Sequence, residues 1–212
     1  MRMNLRTSNR KIFSFKNIKF NSKNLFVFLI SLSIVAFILG IVFFYIMSSS
    51  DKELVNNVVM NNFKIKDNYN YLLILKDLIL SNTYNTLLIW LLGISVIGII
   101  ANIFIYFFEI FSIGFTISSL INIYKSKSII AILIYLFPTR LLYIITMFML
   151  TYFSIKFSYK IISVCFLNKN IDLRVEMKRY FKVLLILWIL VVGICMFGIF
   201  VDPILINFFT KM

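Results

Sequence analysis

Long apolar runs framed by clusters of lysine and arginine dominate this chain, and they leave it few possible folds. From Leu25 to Met47 the sequence is interrupted only by Ser31, Ser33 and Gly40. A helix of that length exceeds the roughly 30 Å hydrocarbon core of a bilayer. Ahead of it stand Arg2, Arg6, Arg10, Lys11, Lys16, Lys19 and Lys23 with no acidic residue, and a second basic stretch, 156–182, sets Lys156, Lys160, Lys169, Arg174, Lys178, Arg179 and Lys182 against Asp172 and Glu176. Basic segments that flank apolar runs are the mark of cytoplasmic loops. The apolar fraction is 61% and the charged fraction 14%, against roughly 45–50% and about 25% in soluble domains. A water-soluble globule of 212 residues could not hide that much apolar surface. The net charge of +14 therefore points to anionic lipid headgroups. Neither basic stretch offers the folded groove-reading or stacking element that nucleic-acid binding requires.

The expected fold is all-α: an integral membrane bundle of about five transmembrane helices, with a cytoplasmic N-terminus and the C-terminus outside. A basic segment, 1–24, precedes a single transmembrane domain, 25–212. The first span, about 25–47, is too long for a signal-peptide core and is followed by no small-residue cleavage site, so it is expected to remain as an anchor. The outer loop, 48–84, balances four lysines against four acids. Within it Ser50-Asp51-Lys52-Glu53 matches a capping box and predicts a helix start, and Tyr71–Leu80 is too short to span and suits an interfacial helix. The second span, about 86–108, carries Trp90 as an outer aromatic anchor and Gly93 and Gly98 as close-packing positions, with Glu109 at its inner end. Residues 110–124 form either a short third helix or half of a re-entrant hairpin, and Gly114 and Ser118 are a small-residue pair suited to helix contact. The fourth element, about 129–161, contains Pro138, which predicts a break near Phe137. A straight helix would put Arg140 near the midplane at a cost of at least about 2.5 kcal/mol, so the kinked form, with Arg140 near the outer headgroups, is preferred. A cytoplasmic loop, 162–182, leads to the fifth span, about 183–201, which Asp202-Pro203 is expected to end.

No catalytic set emerges. The chain has no histidine, no glycine-rich phosphate loop and no cysteine pair at metal spacing, so no enzyme activity, cofactor or metal is expected. Cys165 and Cys195 are read as free thiols. The close acidic pair Asp51/Glu53 reads as a cap. Intramembrane ionisable residues often mark pathways, and Glu109 and Arg140 are the candidates. The expected topology puts them near opposite faces, and an ion pair between them would require 110–137 to fold back.

The run Leu88-Ile89-Trp90-Leu91-Leu92-Gly93-Ile94-Ser95-Val96-Ile97-Gly98, then Gly114-Phe115-Thr116, then Leu136-Phe137-Pro138-Thr139-Arg140-Leu141-Leu142, resembles the stage II sporulation protein M family in order and spacing across about 25–201. Ile110 stands where that family often has glycine. The resemblance implies a non-catalytic, multi-pass scaffold of the bacterial plasma membrane that recruits peptidoglycan-degrading partners on the outer face, with the loop 48–84 as docking surface. A transporter or permease-like subunit is the alternative, motivated by the break at Pro138 and the short third run.

Overall fold

A computed structural model describes residues 22–62, 71–167 and 172–211. The basic residues before Ser22, and part of the loop 162–182, lie outside them. Every element among the described residues is helical: α1 Ser22–Ile46, α2 Ser49–Asn62, α3 Tyr71–Gly93, α4 Gly98–Tyr124, α5 Ser128–Tyr135, α6 Leu141–Leu167 and α7 Leu173–Lys211, with one π-helical turn, Leu136–Arg140, joining α5 to α6. This follows from the solvent, since backbone groups in hydrocarbon must be satisfied within their own segment. Among the described residues, four stretches are long and apolar enough to cross a membrane: Ser22–Ile46, Gly98–Tyr135, Leu141–Cys165 and Leu173–Phe208. The chain is a multi-pass membrane protein. The expected spans 86–108 and 110–124 fall largely together in α4, and α3 does not reach this apolarity. It carries Lys76, Asp77, Asn82 and Asn85.

Contacts set the directions. Ser33 meets Tyr106, and Gly40 lies on the backbone of Phe111 and Phe115, so α1 and α4 run parallel. A Cβ on Gly40 would overlap the carbonyl oxygen of Phe111, and one on Gly114 would overlap that of Phe37. The two backbones touch because both positions lack side chains. Antiparallel to α4, α6 sets Ser154 beside Asn102. In turn α7 opposes α6 and α3, pairing Tyr180 with Phe157 and Trp188 with Thr83. One core cluster (Ile89, Tyr143, Met147, Leu150, Leu184, Val191, Cys195) fills the space between α3, α6 and α7. A second (Leu25, Leu29, Ala36, Tyr106, Ile110, Ile155) joins α1, α4 and α6. The central helix, α6, thus serves both. The outward residues of α1, such as Val27, Ile34 and Ile38, are exposed and face where lipid would be.

Several sequence boundaries are corrected. The apolar run 86–108 is not one helix, for the chain breaks at 94–97. Carbonyls at the end of α3 and in the break are met from other helices: Ser154 Oγ donates to Ile89 O at 2.9 Å, Tyr180 Oη to Trp90 O at 3.0 Å and Ser158 Oγ to Ser95 O at 2.6 Å. Gly98 makes the turn possible, since a Cβ there would overlap the Leu92 carbonyl. Upstream, Tyr71–Leu80 is no separate interfacial helix but the first half of α3. The polar residues that follow it are bundle-facing, with Asn82 donating to Cys195 Sγ at 3.1 Å and Trp188 Nε1 to Thr83 at 3.1 Å. The helix α2 is capped two residues earlier than the predicted box, by Ser48, whose hydroxyl accepts from the Asp51 amide (3.3 Å) and donates to its carboxylate (2.6 Å). Residues 110–124 are the second half of α4, not a separate element. At Pro138 the expected interruption is present, as the π-helical turn. Asp202-Pro203 does not end α7, which continues to Lys211. A proline in a lipid-embedded helix forfeits one hydrogen bond, whereas ending the helix would expose several more.

A polar cavity between four helices

The candidate residues are built from two interruptions in otherwise continuous helices. The break at 94–97 lets α3 fold back along α4, which brings Asn85 beside Glu109. Asn85 Nδ2 donates to Glu109 Oε1 at 3.1 Å. Glu109 lies eleven residues beyond Gly98 in α4, about 16 Å along the axis, so it is inside the bundle and not at the inner end of a span. The second interruption, the π-helical turn, shifts the register by one residue and lays Thr139 and Arg140 toward α7. There Thr139 Oγ1 lies 3.4 Å from both carboxylate oxygens of Asp202. The contact is close because Gly198, one turn back on α7, faces the Thr139 methyl without a side chain of its own.

Between these groups is a cavity of about 690 Å³, lined by Glu109, Ser112 and Ile113 of α4, Thr139, Arg140 and Tyr143 at the turn and the start of α6, Asp202 and Ile206 of α7, and Leu54 and Val58 of α2. Glu109 and Arg140, expected near opposite faces, therefore share one site. Folding back at 125–127, where Lys125 adopts a positive φ of 43°, is what returns α5 and the π-helical turn to α4. Even so, among the described residues no lysine or arginine nitrogen lies within 4 Å of either carboxylate; the ion pairs there join Lys160 and Arg179 to Glu176 at the other end of the bundle. The Arg140 guanidinium sits 5.7 Å from the Tyr135 ring centre, a cation–π arrangement, and lines the same cavity as both carboxylates. Tyr143 is 6% exposed, and its hydroxyl makes no hydrogen bond of ordinary geometry. The cavity thus offers two acceptor groups and one permanent donor, with the hydroxyls of Ser112, Thr116 and Thr139 among apolar side chains.

Other candidates lie elsewhere. Trp90 is not at the outer end. It stacks on Tyr180 at 5.9 Å, at the end of the bundle that carries the basic α6–α7 junction. Gly93 abuts Ser154 and Tyr180, and Gly114 abuts α1. The side chain of Pro138 lies outside the described set. Sequence reading missed Asp202, Tyr143, Thr139 and Asn85 as site residues. Asp202 had a signal, an acidic residue that falls within an apolar helix once that helix is carried through Pro203. Tyr143 had none, since a tyrosine in an apolar run is indistinguishable from core.

The family model described as Stage II sporulation protein M matches residues 27–202. No match to a curated protein or to a solved structure accompanies it.

Proposed function

Because the chain belongs to the stage II sporulation protein M family, we propose that it is a non-catalytic scaffold of the bacterial plasma membrane that holds peptidoglycan-remodelling enzymes at the outer surface. The observation that carries this reading is α2. One face of this short helix, Val55 and Val59, packs on Leu120 and Ala131. The opposite stripe, Glu53, Asn57, Met60 and Asn61, is exposed. A helix clamped by one face and open on the other, at the end away from the basic segments, has the form of a docking element. Its anchor is also specific, since Ser119 Oγ donates to Asn56 Oδ1 at 2.8 Å.

The test is co-purification of cell-wall hydrolases with the chain, repeated after residues 51–62 are replaced by a Gly/Ser segment of equal length. The replacement must stop short of Tyr71, where α3 begins. Loss of the hydrolases with intact insertion is expected, whereas undiminished recovery would contradict docking through α2.

A second reading, a transporter or permease-like subunit, is favoured by the cavity, where an interrupted helix brings Arg140 to the same space as Glu109 and Asp202. It predicts a solute flux that falls in Glu109→Gln and Arg140→Gln. Wild-type flux in both variants would remove its support.

A further inference from the structure

We propose that the cavity between α2, α4, the π-helical turn and α7 is a binding site for the headgroup of an amine-bearing phospholipid, with the ammonium held between Glu109 and Asp202 and the phosphate at Arg140. Three observations converge on it. The first is charge. Two carboxylates and one guanidinium line the cavity, and no described cation comes within ion-pair distance of either acid. Among the described residues the side-chain donors to the two carboxylates are neutral, Asn85 for Glu109 and Thr139 for Asp202, which leaves further acceptor positions on both. Charged groups inside a membrane bundle are costly unless paired, so the two carboxylates favour a bound ammonium while Arg140 offers a partner to an anion on the same molecule.

The second observation is Tyr143. Its hydroxyl is buried at the cavity wall with no partner of ordinary geometry, and a buried hydroxyl left unsatisfied costs about 1–3 kcal/mol. That oxygen is closed to solvent with Asn85 beside it, so an occupant of the cavity would reach it through a small rotation of the ring.

The third is the walls. Leu54, Val58, Ile113 and Ile206 set apolar surface beside the polar groups in an open cavity, which suits a ligand whose charge sits at one end of an apolar body. A free amino acid or polyamine would leave those walls unmatched. The volume of about 690 Å³ falls within the usual range for small-molecule sites. This site is distinct from the outward stripe of α2 assigned to docking, and it requires no passage of the ligand across the membrane.

The experiment is lipid retention by the purified full chain, read by native mass spectrometry after reconstitution in nanodiscs that contain phosphatidylethanolamine and phosphatidylglycerol in equal amounts. Selective retention of phosphatidylethanolamine is expected, and Glu109→Gln, Asp202→Asn and Tyr143→Phe should each reduce it. Loss of one charged hydrogen bond is worth about tenfold to a hundredfold, and the neutral-hydroxyl variant Tyr143→Phe about fivefold. Equal retention of the two lipids would overturn the ammonium assignment, and retention unaffected by all three variants would place the lipid elsewhere. Displacement of the bound lipid by millimolar ethanolamine alone would make the source a soluble amine and overturn the lipid claim. If a carboxylate variant does not fold, the selectivity of the wild-type chain and the Tyr143→Phe comparison still decide the matter.

Discussion

At the scale of single residues, stability rests on small side chains at close approaches and on hydroxyls that serve carbonyls. Gly40 and Gly114 have no room for a Cβ against the facing backbone, so Gly114→Val should separate α1 from α4 and cost about 1–3 kcal/mol, read as a lowered midpoint of thermal unfolding in detergent. Ser154 both accepts from Asn102 (2.6 Å) and donates to Ile89 O (2.9 Å). Because polar contacts between membrane helices average about 0.6 kcal/mol and reach about 1.7, Ser154→Ala should fall in that range and lower the same midpoint by much less than Gly114→Val. Gly114 could be read from sequence as a packing position, since small residues four apart have one common use in lipid. Glu109 and Arg140 could be singled out because ionisable residues are rare in such runs. Their meeting could not be read, because it depends on two interruptions that a hydropathy pattern smooths over.

At the scale of elements, the instructive pair is α3 and α4. The apolar run from Thr86 to Phe108 reads as one span, and the residues that break it, Gly93, Ser95 and Gly98, are common in continuous membrane helices. The break is stable because hydroxyls on α6 and α7 serve its carbonyls. Those partners are more than sixty residues away in sequence, so no local signal announces it. The polar run Ser81–Thr86 looks like loop for the converse reason, that its partners Cys195, Trp188 and Glu109 lie on other helices. Cysteines placed at Asn85 and Glu109, in a background without Cys165 and Cys195, should be joined by a short bis-thiol reagent. If the chain were helical without interruption between them, they would be about 36 Å apart and no bridge would form. The interruption at Pro138, by contrast, was legible, because proline acts on its own backbone.

At the scale of the whole molecule, the membrane class and the orientation rest on composition and charge, which need no knowledge of contacts. The first and last apolar stretches are close to α1 and the middle of α7, while the number of crossings depends on α3, whose polar residues keep it below the apolarity of the other four stretches. The fold gathers the start of α1, the α3–α4 turn and the basic α6–α7 junction at one end, and the 125–127 turn, α2 and the end of α7 at the other. The most direct test is labelling of single cysteines by a membrane-impermeant maleimide in intact cells and in inverted vesicles, with cysteine placed at Arg10, Ser95, Asn170 or Ser126. Labelling of positions 10, 95 and 170 only in inverted vesicles, and of position 126 in intact cells, is the predicted result. Position 95 protected from both sides, or positions 10 and 170 labelled from opposite sides, would contradict the account.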